Sequence, residues 1–125
     1  MISGYVIGES LRPGAEFAPR GVRLWLRKIG RYDLSETTAD GQPGAWTFVE
    51  WETDSDDVAA LADALAEALE PENGWYADFV AGDERVVVFA GKVFRYRRGD
   101  AAGRAAAIAY GRSAGTPADQ LDWAD

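Results

Sequence analysis

Three apolar runs, WYADFV (75–80), RVVVFA (85–90) and VFRYR (93–97), follow one another with only AGDE and GK between them. A parallel pair needs a crossover of about a dozen residues or more, so gaps this short leave an antiparallel meander as the one way to pair these segments. Upstream, GYVIGESL (4–11) reads as a short strand, and RPGAEFAPRG (12–21), with its Pro and Gly residues, as a loop. VRLWLRKI (22–29) alternates Val22, Leu24 and Leu26 against Arg23, Trp25 and Arg27, which is strand periodicity. TADGQPG (38–44) is turn chemistry and leads into AWTFVEWET (45–53). That strand splits into Trp46, Phe48, Glu50 and Glu52 on one face and Thr47, Val49 and Trp51 on the other, and the second set is taken as the core face.

From Ser55 the apolar period changes to Val58, Leu61, Leu65 and Leu69, with Ala62 and Ala66 on the same side, so residues 56–70 form an amphipathic helix. Ser55 or Asp54 would cap it, with Asp56 and Asp57 in its first turn. Asp100 opens a second, Ala- and Gly-rich helix that ends at Gly115, and Thr116 before Pro117 would cap a last short helical turn, PADQLDW. The chain, 47% apolar, is long enough for one core. The expected architecture is a single α+β domain over residues 1–125: an antiparallel sheet of five to six strands with two main helices packed on one face. Its core would join Trp51, Val58, Leu61, Leu65 and Leu69 to Val86, Val88 and Phe94.

The stretch WYADF…VVVFAGKVFRYRRGDAAGRAAAIAYGRSAGTPADQLDW, residues 75–123, resembles the C-terminal half of a family of small uncharacterised bacterial proteins. The resemblance covers about the last 40% of the chain. It implies a bacterial, intracellular, single-domain protein and carries over no site residues. In the same direction, the N-terminal segment lacks the basic head and apolar stretch of a signal peptide, and no run of eighteen apolar residues occurs, so a cytoplasmic protein without membrane spans is expected.

Cys and His are both absent, which removes thiolate nucleophiles, zinc–thiolate sites and the commonest general base, and the expectation is a protein without enzymatic activity, cofactor or metal. GRSAG (111–115) has the letters of a nucleophile elbow around Ser113, yet a helix precedes it where a strand is required. DSDD (54–57) starts like a calcium loop, but Val58, Ala59 and Leu65 stand where the later ligands and the turning Gly belong. Glu50 and Glu52 share one strand face at about 7 Å, a spacing open to acid–base work or Mg²⁺, with Trp46 nearby as a sugar platform. KVFRYRR (92–98) interleaves Lys92, Arg95, Arg97 and Arg98 with Phe94 and Tyr96, the composition of a nucleic-acid-binding strand. Stacking there would require the two rings to face outward.

Charge is segregated along the chain. Residues 1–31 hold six Lys/Arg and two acids, residues 32–84 none and fifteen, and residues 85–125 seven and four. EWETDSDD (50–57) concentrates five of those carboxylates. A solvated helix usually interleaves Glu with Lys four residues on, and the helix at 56–70 forgoes every such pair. The expectation is therefore an interaction protein whose acidic docking face, Glu50, Glu52, Asp54, Asp56, Asp57, Asp63, Glu67 and Glu70, binds a basic protein. An immunity or inhibitor protein neutralising a basic toxin or nucleic-acid-binding enzyme is the most concrete form of that reading. The alternative is a nucleic-acid or small-molecule binder using the Arg/aromatic strand 92–98 or the opposite face of the sheet, and the net charge of −8 works against nucleic acid.

Overall fold

The computed structural model describes residues 1–124. Six strands, β1 (Ile2–Ile7), β2 (Trp25–Asp33), β3 (Ala45–Thr53), β4 (Ala77–Ala81), β5 (Glu84–Phe89) and β6 (Lys92–Arg97), form one antiparallel sheet in the order β2-β3-β1-β4-β5-β6. The helices are α1 (Val58–Ala68) and α2 (Ala101–Ser113), with short 3-10 turns at Gly8–Ser10 and Ala118–Gln120. The meander β4-β5-β6 pairs as its short gaps require. β1 lies between β3 and β4, so the connection through α1 passes over β1.

The two helices lie on opposite faces, not on one. Val86 and Val88 join Leu61, Leu65, Leu69, Trp51 and Phe79 beneath α1, while Val87 and Phe89 join Tyr96, Ala107, Leu121 and Trp123 beneath α2. The physical reason is in β5 itself: Val86, Val87 and Val88 are consecutive, strand alternation sends them to alternate faces, and burying all three requires cover on both sides. Phe94, expected in the core with Leu65, stands opposite Val87 and therefore packs on the α2 side.

On the first face, Gly4 opposite Trp51 leaves room for the indole, since a Cβ there would stand 2.8 Å from Trp51 Cζ2. Beyond the reach of α1, Phe17, Val22 and Leu24 of the 12–24 loop pack on the same core. That use of Val22 and Leu24 is why β2 starts at Trp25 instead of residue 22. An irregularity between Leu26 and Lys28 then shifts the alternation of the strand.

The N-cap of α1 is Asp57, whose carboxylate accepts from the Ala60 amide at 3.0 Å, in place of Ser55 or Asp54; Ser55 Oγ instead accepts from the Asp57 amide. At the other end, the Arg12 amide and its Nε donate to the carbonyls of Ala68 and Glu67, both at 2.9 Å, and the Glu70 amide donates to Ser10 O. The two bonds from Arg12 satisfy carbonyls that a helix end leaves open and set a cation at its negative pole. Asp100 caps α2 as expected, accepting from Ala102 and Gly103 amides. Thr116 does not cap the last turn: its hydroxyl donates to Gly74 O at 2.9 Å and ties the C-terminal stretch to the start of the meander.

Candidate functional site: an aromatic cleft on the open half of the sheet

α2 covers only the β5–β6 end of the second face, leaving β2, β3 and β1 open there. Strand alternation puts Trp46 and Phe48 of β3 and Tyr5 and Ile7 of β1 on that open half. Where it meets the C-terminal stretch, these side chains enclose a cleft of about 410 Å³ with Trp75, Tyr76, Asp78, Asp119, Gln120 and Asp122. A second, smaller depression of about 310 Å³ shares Tyr5 and Phe48 with it and extends over Tyr32 and Glu50.

The rings form a connected array. Trp46 and Trp75 lie 4.8 Å apart between centroids, Phe48 contacts Tyr5 edge-on at 5.9 Å and Tyr32 at 5.4 Å, and Trp46 stacks towards Phe48 at 6.4 Å. Several polar groups beside the array are tied back into the protein. Trp46 Nε1 donates to Pro43 O at 2.8 Å. The Tyr76 hydroxyl donates to Gln120 O. The Gln120 amide pairs with the Gln42 amide and also donates to Thr37 O at 3.0 Å, joining the 34–44 loop to the C-terminal stretch.

Asp78 forms a 2.7 Å ion pair with Arg85, which is buried, 6% exposed. Burial pushes the Asp78 carboxyl up from its ordinary value, Arg85 draws it back, and Asp122 adds to the rise. Burial likewise raises the Tyr76 hydroxyl, with Asp78 and Asp122 contributing. Asp119 and Asp122 stand exposed at the mouth.

The eight carboxylates expected to form one docking face are divided by the sheet. Glu50 and Glu52 lie on the second face, where Arg27 approaches them at 4.0 and 3.4 Å, so this pair holds an arginine. Asp54, Asp56 and Asp57 lie in and after the turn that leads to α1, with Asp57 committed as its cap. Asp63 and Glu67 are exposed on the outer side of α1, Glu70 is half-buried just beyond its end, and none of the three forms an ion pair among the described residues. In strand 92–98, Phe94 and Tyr96 turn towards α2, and Tyr96 accepts from Trp123 Nε1 at 2.7 Å. Arg95 pairs with Glu84 at 2.7 Å and Arg97 with Asp83 at 3.5 Å. Ser113 lies at the end of α2 with its hydroxyl on Tyr110 O, away from any strand-to-helix elbow.

Sequence reasoning singled out Trp46 but missed Tyr5, Trp75, Asp78, Asp119 and Asp122. The available signal was the placement of Trp46 and Phe48 on the face of β3 opposite the expected core, two large rings on a side otherwise carrying Glu50 and Glu52. No helix of the described residues is long and apolar enough to cross a membrane, and no group of His, Cys, Asp or Glu among them is arranged to hold a metal ion. Neither a family model, nor a curated protein, nor a solved structure matches the chain, so the resemblance over residues 75–123 brings no residue to the site.

Proposed function

We propose that the protein is a non-enzymatic binding module that holds a small ligand, or one side group of a larger one, in the aromatic cleft. The observation that carries this reading is the cleft itself: about 410 Å³, walled by Tyr5, Trp46, Phe48, Trp75 and Tyr76, on a half of the sheet that no helix covers. Ligand sites of small proteins are concave, mostly apolar and largely preformed, with volumes from about 300 Å³ upward, and this one meets each condition. Its acidic rim opposes entry of a phosphate backbone, so nucleic acid is not the favoured occupant.

The test is thermal stabilisation by a panel of cationic, neutral and anionic small molecules, run on wild type and on Trp46→Ala. Ligands that raise the melting temperature of wild type alone would support the cleft. A panel that stabilises neither protein, or both equally, would overturn it.

The acidic docking of a basic protein, an immunity- or inhibitor-like role, keeps one supporting observation: Asp63 and Glu67 are exposed on α1 without cationic partners among the described residues. On that reading Asp63→Lys/Glu67→Lys/Glu70→Lys keeps its circular dichroism but loses a basic protein that wild type captures from host lysate at low salt. A folded triple variant capturing the same set at low and moderate salt would end it.

A further inference from the structure

Resting on the cleft as a binding site, we infer that its ligand is an organic cation that donates no hydrogen bonds, a trimethylammonium-type headgroup. Three observations converge on this chemistry. The walls are aromatic, and the face of each ring is the negative side of a quadrupole that attracts a cation lying over it. The charged side chains lining the cleft, Asp78, Asp119 and Asp122, are all acidic, and no Lys or Arg lines it among the described residues. Arg85 offsets Asp78, so Asp119 and Asp122 at the mouth set the sign of the field.

The third observation separates kinds of cation. A primary ammonium or a guanidinium loses strong hydration on entry and must find acceptors inside. Here most of the interior polar side chains are already engaged: Asp78 Oδ2 with Arg85, the Gln120 amide with Gln42 and Thr37, Trp46 Nε1 with Pro43, and Tyr76 with the Gln120 carbonyl. What remains is mainly ring surface, with the Tyr5 hydroxyl and the second Asp78 oxygen as the side-chain acceptors and the carboxylates of Asp119 and Asp122 at the mouth. A methylated ammonium needs no hydrogen bonds, has apolar methyl groups that suit Phe48 and Ile7, and keeps the positive charge that the rings and rim carboxylates favour. The open mouth, beside the smaller depression that shares Tyr5 and Phe48 with it, leaves a path for the stem that bears such a headgroup.

The experiment compares three probes of one shape by tryptophan fluorescence and calorimetry at matched ionic strength: choline, its uncharged carbon isostere 3,3-dimethylbutan-1-ol, and the anion 3,3-dimethylbutanoate. Choline should bind saturably and about tenfold or more tighter than the isostere, as a cation–π contribution would give, with no detectable binding of the anion. Trp46→Leu should abolish choline binding. Asp119→Asn/Asp122→Asn, at two exposed positions, should weaken it several-fold and reduce its salt dependence while circular dichroism is unchanged. Equal binding of choline and the isostere would overturn the cationic ligand yet leave an apolar binding cleft. No saturable signal from any probe would overturn the cationic ligand, and if the wider panel also fails to distinguish wild type from Trp46→Ala, the cleft reading falls with it.

Discussion

Val86, Val87 and Val88 are consecutive in β5, between β4 and the edge strand β6, each 0% exposed, and alanine scanning of the three tests whether both faces of β5 are covered. Each Val→Ala change removes two methyl groups. At about 0.8 kcal/mol per buried carbon that is about 1.6 kcal/mol, and the residual cavity brings it to roughly 2 kcal/mol. For a chain of this size, with a urea slope of about 1.5 kcal/mol per molar, the midpoint should fall by roughly 1.3 M in every variant, the slope itself unchanged. The informative quantity is the pattern across the three. If both helices lay on one face, Val87 would point into solvent and cost almost nothing, giving high, low, high. With α1 on one side and α2 on the other, the profile is flat. A Val87→Ala midpoint within error of wild type, beside losses at Val86 and Val88, would refute the two-sided packing.

Leu65→Ala, at the centre of the α1 core, should cost about 2–5 kcal/mol, read as a lowered melting temperature. Gly111→Ala should destabilise even though Ala favours a helix by about 1 kcal/mol, because the new Cβ would stand 2.7 Å from Leu121 Cδ2 and 3.2 Å from Phe89; limited proteolysis should find the stretch after Gly115 released first. Glu9 accepts from the Thr47 amide at 2.6 Å, from the Thr47 hydroxyl at 3.0 Å and from Arg31 at 3.1 Å. Partial burial would raise its pKa, but these bonds outweigh it and hold the carboxyl below the ordinary glutamate value. The stability it contributes is therefore complete above that value and is lost as pH falls through the depressed pKa, so Glu9→Gln should cost about 1–3 kcal/mol at neutral pH and flatten the acid limb of a urea-midpoint profile. Asp100→Ala should cost about 1 kcal/mol through loss of the α2 cap, measured by chemical denaturation.

What could be read from the residues was local. The bounds of β3, the period of α1 and the cap at Asp100 each follow from a few neighbouring positions, and they match the structure closely. The run RVVVF is also the pattern of a strand buried on both sides, and the expected placement of both helices on one face left that pattern without cover. The relations that build the site are non-local. Arg27 reaches Glu50 and Glu52 across a hairpin, and no spacing along the chain distinguishes those two acids from the other carboxylates of residues 32–84. Asp78 differs from its acidic neighbours only because strand register brings Arg85 beside it. The cleft needs β1, β3, the start of β4 and the stretch near Gln120 at once, and such a juxtaposition becomes visible only when the sheet order is known.

That sheet order also governs how the molecule comes into being on a ribosome. β1 is made before β3 and β4, yet its place is between them, so it must wait unpaired until residues 45–53 and then 77–81 have been synthesised. Translation at about 5–20 residues per second makes the interval from β1 to β4 on the order of several seconds, long compared with the microseconds in which a hairpin can close. The hairpin β2-β3 can form during that wait, and β1 can then dock on its inner edge. The far edge of β1 stays exposed until the meander emerges. The cleft is later still, since Gln120 and Asp122 are made only after β6 and α2, and a nascent chain therefore passes through a sheet-like stage in which the ring array exists without the wall that closes it.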